Sequence, residues 1–267
     1  MTSQTQGQQP RNTAESCTAA PGTAPTMQTE TIGKRAVSAQ AANGVAPTIQ
    51  DGLEDWSTSD EEFRRACKEL DDKVTRFLGE QHDDAALQGL QEQIRGSLQP
   101  LAEALKTYSF DQLSFSYNGG KDCLVLLILY LIAIHRHYSL IGAPMPTSLK
   151  SIYIQPPHPF PQVTEFVDSS SAYYHVCLSS SALPMKEAFA QYLERHPEVK
   201  VIFVGTRRTD PHGGKLTHFD ITDGGWPQFM RCHPVIDWHY REIWAVSWLC
   251  RASRGEKADV HTVHPVF

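Results

Sequence analysis

Two stretches of this 267-residue chain carry side chains able to handle a phosphorylated substrate. The first is the turn Asn118-Gly-Gly-Lys-Asp122, set between Ser114-Phe-Ser-Tyr117 and an apolar run that starts at Cys123. Two glycines let backbone N–H groups approach an anion closely, and the dipole of a following helix favours negative charge there. Asn118 can donate through its amide or offer its carbonyl to a metal; Asp122 can order the loop or a cation. The second stretch is Gly205-Thr-Arg-Arg-Thr-Asp-Pro211. Gly205 permits a sharp exit from a strand, Arg207 and Arg208 offer forked donors suited to phosphate oxygens, and Asp210 adds a carboxylate. The bland alternatives are a plain glycine turn and a solvated Arg-Arg-Asp turn. Polar residues crowded between strongly apolar flanks favour the nucleotide reading.

The first loop is neither of two familiar phosphate motifs. A Walker loop needs Ser or Thr after Gly-Lys, where Asp122 stands. A dinucleotide fingerprint needs a third glycine, which is missing. The pattern that fits is the pyrophosphate loop of ATP-splitting enzymes, usually Ser-Gly-Gly-x-Asp-Ser after a strand. Asn118 then takes the first Ser position and Cys123 the last. A third cluster, Thr222-Asp-Gly-Gly-Trp-Pro-Gln-Phe-Met-Arg231, places a large flat side chain, Trp226, in a glycine turn. It can stack on a planar heterocycle or pack as a lid beside Phe229. Asp223 can accept from a ring N–H or fix an Asx turn.

These clusters need elements to hold them. The run from Cys123 to Ile134 is apolar all round and reads as a buried core helix, short of the about 17–25 residues that cross a bilayer. Asp111–Tyr117, Ser151–Ile154, Tyr174–Leu178 and Val199–Val204 read as buried strands. Helices are expected near Phe160–Ser171 and Pro184–His196. Alternation of this kind predicts a parallel α/β sheet flanked by helices, with ligands beyond the carboxyl ends of the strands. Upstream, Phe63, Ala66, Leu70, Val74, Phe77 and Leu78 recur at helical spacing. So do Leu87, Leu90, Ile94, Leu98, Leu101 and Leu105, with Pro100 expected to kink or divide the second helix. Asp237 reads as structural, and the last helix is expected to pack through Trp244 and Trp248.

Residues 1–55 contain no aromatic side chain and are rich in Thr, Gln, Ala, Ser and Gly, so disorder is expected there. Residues 56–250 form the expected α/β domain, and 251–267 a polar tail. The net charge of -6 disfavours nucleic acid and acidic membrane as partners. Six cysteines form no Cys-x-x-Cys pair, which predicts reduced thiols and a cytoplasmic protein. Arg11, Lys34 and Arg35 also permit a mitochondrial presequence, disfavoured by Glu15 and the missing amphipathic face. The sequence leaves the oligomeric state open.

The chain resembles the eukaryotic FAD synthases (FMN adenylyltransferases), in the PAPS-reductase-like branch of the adenine-nucleotide α-hydrolase-like folds. The resemblance spans about residues 100–245. Ser116-Tyr-Asn-Gly-Gly-Lys-Asp-Cys123, Pro159-Phe-Pro-Gln-Val-Thr-Glu-Phe166, Gly205-Thr-Arg-Arg-Thr-Asp-Pro211, Thr222-Asp-Gly-Gly-Trp-Pro227 and Pro234-Val-Ile-Asp-Trp238 carry it. It implies attack of the FMN phosphate on the ATP α-phosphorus, with Mg²⁺ as cofactor and ATP and FMN as small-molecule substrates. It assigns Ser116, Tyr117, Asn118, Gly119, Gly120, Lys121, Asp122, Arg207 and Arg208 to ATP, and Asp223, Trp226 and Arg231 to the flavin. Asn118, Asp122 and Asp210 become catalytic, with Asn118 and Asp210 at the metal and α-phosphate. The pyrophosphate falls to the glycine turn with Arg207 or Arg208.

The tail departs from the family. Cys250-Arg-Ala-Ser-Arg-Gly-Glu-Lys-Ala-Asp-Val-His-Thr-Val-His-Pro-Val-Phe267 does not resume its pattern, which predicts an alternative splice product or shifted frame with a poorly closed flavin site. His261 and His264 are weak metal candidates. Two rival functions follow. A PAPS-reductase-type oxidoreductase would need a C-terminal Glu-Cys-Gly-Leu/Ile-His cysteine, and none is present. The other rival is a nucleotide-binding protein without turnover.

Overall fold

The computed structural model describes residues 54–251, with side chains from 60 to 250. The expected N-terminal disorder, apart from its last two residues, and the polar tail after Arg251 lie outside the described residues. Two long helices come first, α1 (Glu54–Gly79) and α2 (Ala85–Thr107). Asp84 caps α2, accepting from the Ala86 N–H at 2.7 Å. Pro100 lies inside α2 without dividing it, contrary to one of the two expected effects.

Strand β1 (Leu113–Ser116) leads into α3 (Lys121–Ile141), then β2 (Leu149–Ile154), α4 (Pro161–Tyr173), β3 (Val176–Ser181), α5 (Met185–Arg195) and β4 (Val201–Phe203). Two short strands follow, β5 (Phe219–Ile221) and β6 (Met230–Cys232), before α6 (Tyr240–Arg251). The sheet order is β3-β2-β1-β4-β6-β5, with every neighbouring pair parallel except β5 and β6. Strand order reverses at β1: β2 lies on one side and β4 on the other. In open α/β sheets the crevice at such a switch point is where ligands bind.

Strand alternation divides the core. Leu113, Phe115 and Tyr117 of β1 and its exit face α3, whose residues Val125 to Ile134 are all buried. By length and composition α3 could cross a membrane; here it is enclosed by α1, α2, α6 and the sheet. Each large apolar side chain so buried contributes about 1.5–3 kcal/mol, which anchors the loop at its N-terminus. On the opposite face Ile152, Ile202 and Phe229 pack with Phe189 and Tyr192 of α5, and the Tyr192 and Ser114 hydroxyls are 2.7 Å apart.

Two sequence expectations need correction. The β5–β6 hairpin adds two strands that the sequence pattern does not signal, because each has only three residues and Arg231 sits within one. In α6 the packing residues are Ile243, Val246 and Cys250, one helical stripe, whereas Trp248 is exposed. Trp238, just before α6, is the buried tryptophan among the described residues. Its Nε1–H donates to Ser97 Oγ at 2.6 Å, and Ser97 donates to the Pro234 carbonyl at 2.7 Å.

Candidate active site

The loop after β1 owes its shape to close contacts. Gly119 has φ +71, and a Cβ there would meet Val167 of α4 at 2.6 Å. Only glycine fits, so the Pro159–Phe166 motif and the turn after it serve to seat α4 on the loop. Asn118 Oδ1 accepts from the Gly120 N–H at 2.9 Å, closing an Asx turn that starts α3. Tyr117 turns its side chain into the core and not toward the loop. It is fully buried, its hydroxyl 2.6 Å from Ser170 Oγ, and it braces α4 against β1. Burial also holds its phenol well above the usual range. Ser116, the last residue of β1, is half-buried on the other face.

The two sequence-predicted loops come together. A Cβ on Gly205 would lie 2.9 Å from Cys123 Sγ and 3.1 Å from the Cys123 nitrogen, so the exit of β4 runs against the first turn of α3. Asp122 Oδ1 and Arg207 Nε are 3.0 Å apart, both shielded from solvent. The N–H does not point at the oxygen, so charge pairs them while each still lacks a directed hydrogen bond. The other Asp122 oxygen takes Lys121 Nζ at 3.0 Å, and Lys121 also lies over the Tyr240 ring, 5.4 Å from its centroid. Asp210 Oδ2 accepts from the Arg207 backbone N–H at 2.8 Å, and Oδ1 from Arg207 Nη2 at 3.3 Å.

Arg208 goes elsewhere. Its Nε donates to Asp237 Oδ1 at 2.6 Å and its Nη1 to the Leu216 carbonyl at 2.9 Å, a brace between the 213–216 turn and the approach to α6. Of the two arginines, Arg207 faces the glycine loop. Cys123, at the last Ser position of the usual pyrophosphate-loop pattern, is buried, and burial beside Asp122 pushes its thiol up to about 12. It packs between the loops.

The third cluster is the β5–β6 hairpin loop. It leaves the sheet away from Asn118, then folds back along α5. Phe229 packs on Phe189, ring centroids 5.1 Å apart, and the Cβ position of Gly225 is 4.0 Å from Lys186 Nζ in the first turn of α5. Thr222 Oγ1 donates to the Pro227 carbonyl at 2.7 Å, which fixes the turn. Trp226 is 36% exposed and stacks on no ring among the described residues. Asp223 is open to solvent, 3.5 Å from Arg231 Nη1. Lys186 and His233, near this loop, were missed by sequence reasoning. Neither sits at a spacing that would single it out.

Among the described residues no three or more His, Cys, Asp or Glu converge on a metal position. A magnesium ion carried on phosphates needs only one or two carboxylates and keeps several waters. Asp122 and Asp210, flanking Arg207, fit that requirement.

The phosphoadenosine phosphosulfate reductase domain matches residues 112–196 and 181–250. A probable FAD synthase of Schizosaccharomyces pombe is 39% identical over 158 residues, covering 59% of this chain and 60% of that protein. The flavin adenine dinucleotide synthase of Saccharomyces cerevisiae is 34% identical over 151 residues, covering 50% and 49%. The chain thus spans about half to three-fifths of the length of these curated relatives. Candida glabrata FMN adenylyltransferase, solved with FAD and inorganic pyrophosphate, superposes with a TM-score of 0.66 at 31% identity, covering 69% of this chain and 65% of that one. Yeast FAD synthetase in complex with FAD gives 0.65 at 32%, covering 69% and 67%. With that domain matched across residues 112–250, more than half of the 267-residue sequence, the chain belongs to the phosphoadenosine phosphosulfate reductase domain family.

Proposed function

We propose that the chain transfers the adenylyl group of Mg-ATP to FMN, giving FAD and pyrophosphate. The observation that carries this reading is the Asp122–Arg207 contact, which joins the glycine loop to the Asp210 segment at the switch point of the sheet. The names of the matched relatives support the choice of substrates.

The chemistry asks for alignment more than for acid–base power. A phosphate monoester is already a nucleophile near neutral pH, so charge neutralisation and positioning dominate. The Gly119 amide and the α3 N-terminus behind it hold the polyphosphate, and the Asn118 amide donates to the α-phosphate while its carbonyl, accepting from the Gly120 N–H, keeps the turn closed. Lys121 and Arg207 are each matched by a carboxylate, so this cluster is balanced without substrate. A polyanion therefore needs an added cation, and Asp210, with Asp122, is placed to hold magnesium on it. When bound, that ion screens the phosphate oxygens and orients them. Arg207 then releases a carboxylate and takes the leaving pyrophosphate. Trp226 stacks on the flavin ring, Asp223 accepts from its N–H, and Arg231 donates to a ring carbonyl. The buried thiols of Cys67, Cys123, Cys232 and Cys250 support a reducing compartment, the cytoplasm.

A PAPS-reductase-type reaction needs a nucleophilic thiolate. Cys123 and Cys232, the cysteines nearest the loops, are buried and their thiols are pushed up by desolvation. Incubation with FMN, Mg²⁺ and ATP separates the readings. FAD and pyrophosphate in equal amounts support the transferase. Thiol-dependent sulfite release from PAPS supports the reductase, and ATP binding without product supports a non-catalytic role.

A further inference from the structure

His233 follows β6 and is 1% exposed, yet neither ring nitrogen has a hydrogen-bond partner. Arg231, two residues earlier on the same face, leaves its Nε–H unpartnered as well. That face is the one covered by α5, since Arg231 pairs in register with Ile202. It links the hairpin loop of Asp223 and Trp226 to the exit of β4, where Val204 N–H donates to the Cys232 carbonyl at 2.8 Å.

The groups around the imidazole are Arg231, Asp220, His218 and the backbone of Val204. Asp220 Oδ2 already accepts from the Thr217 N–H at 2.7 Å, and His218 Nδ1 faces the His233 carbonyl at 3.0 Å. The Val204 backbone lies close and favours a proton on the ring, without forming a regular hydrogen bond to it, so at least one ring nitrogen is left as an acceptor. Burial first, then the charge of Arg231, pushes the imidazole down to about 4, so it is neutral and carries a free lone pair. Leaving such a group unpaired destabilises a fold, and an apolar side chain of similar shape is tolerated as well or better. Unpaired buried nitrogens of this kind therefore call for an explanation in function.

We propose that His233 is a positioning residue for the flavin ring: its imidazole accepts the Nε–H of Arg231 when the carbonyl edge of the ring draws the guanidinium away from Asp223. This rests on the FMN reading above. In the structure Arg231 is loosely held, 3.5 Å from Asp223 and with Nη2 donating to the Ile221 carbonyl at 3.0 Å. The pyrimidine edge of a flavin offers an N–H between two carbonyls, so Asp223 takes the N–H and Arg231 Nη1 a carbonyl. The remaining Nε–H then needs an acceptor within the wall, and the neutral imidazole is the group beside it.

The test compares the full chain with His233→Phe, His233→Leu and His233→Asn, measuring FMN binding by fluorescence quenching without ATP, ATP binding, and Tm. The apolar variants are expected to keep or raise Tm and to bind ATP as before, while the Kd for FMN rises about tenfold. His233→Asn, which retains an acceptor, is expected to stay within about threefold. Unchanged FMN affinity in His233→Phe, with clear binding by the parent chain, would overturn this inference alone. No FMN binding by the parent would overturn the FMN reading and this inference with it. Unfolding of both apolar variants would show the imidazole to be partnered in the fold, which also overturns it.

Discussion

Asp122 Oδ1 lies 3.0 Å from Arg207 Nε, and this contact ties the first turn of α3 to the segment leaving β4. It spans the two strands between which the sheet order reverses. Arg207 is held from the other side by Asp210, so an anion arriving at the glycine loop meets a cation already aimed by two carboxylates. Preorganisation of this kind lowers the cost of alignment when the substrate binds.

Asp210→Ala removes one of the two carboxylates that hold Arg207, and one from the proposed metal position. Asn118→Ala opens the turn that its carbonyl closes on the Gly120 N–H, and removes the amide proposed for the α-phosphate. Each is expected to lower kcat for FAD formation by about 100-fold or more, in line with loss of a preorganised charge partner. Steady-state rates at saturating Mg-ATP and FMN check this. Near-parental rates in both variants would return these residues to a structural role.

Trp226→Ala removes an exposed ring that stacks on nothing else in the described residues. The KM for FMN is expected to rise about tenfold, with the KM for ATP unchanged. A side chain that only packed the hairpin loop would move Tm and leave both KM values alone.

His233 predicts an acid sensitivity. Its folded pKa is lowered from 6.5 to about 4, so between these values the unfolded chain binds a proton that the folded chain refuses. The stability held above pH 6.5 is lost as pH falls toward 4, by about 3 kcal/mol. Urea unfolding at pH 7 and pH 4.5 should show a smaller acid loss for His233→Phe than for the parent chain. Equal losses would contradict the buried neutral imidazole.

The long-range frame was legible because its signals are strong. The uninterrupted apolar run after Cys123 reads as a buried helix, and Gly119-Gly120 before it as a turn. Alternation also held the answer for Tyr117: it shares a face with Phe115, two residues away, and so points into the core. Adjacency to the loop obscured that. Arg207 and Arg208 are chemically alike and adjacent, and nothing in their types says that one meets Asp122 and the other Asp237. That choice is set by Gly205 pressing on Cys123, a contact between residues 82 positions apart. The β5–β6 hairpin and the unpaired ring of His233 arise from pairing across the sheet, which short strands do not announce.

The most direct test of adenylyl transfer follows the phosphorus atoms. With ATP labelled at the α-phosphorus, FMN and Mg²⁺, the label should appear in FAD as unlabelled pyrophosphate is released mole for mole. Label recovered only as AMP, or FMN left unchanged while ATP is bound, would contradict the account.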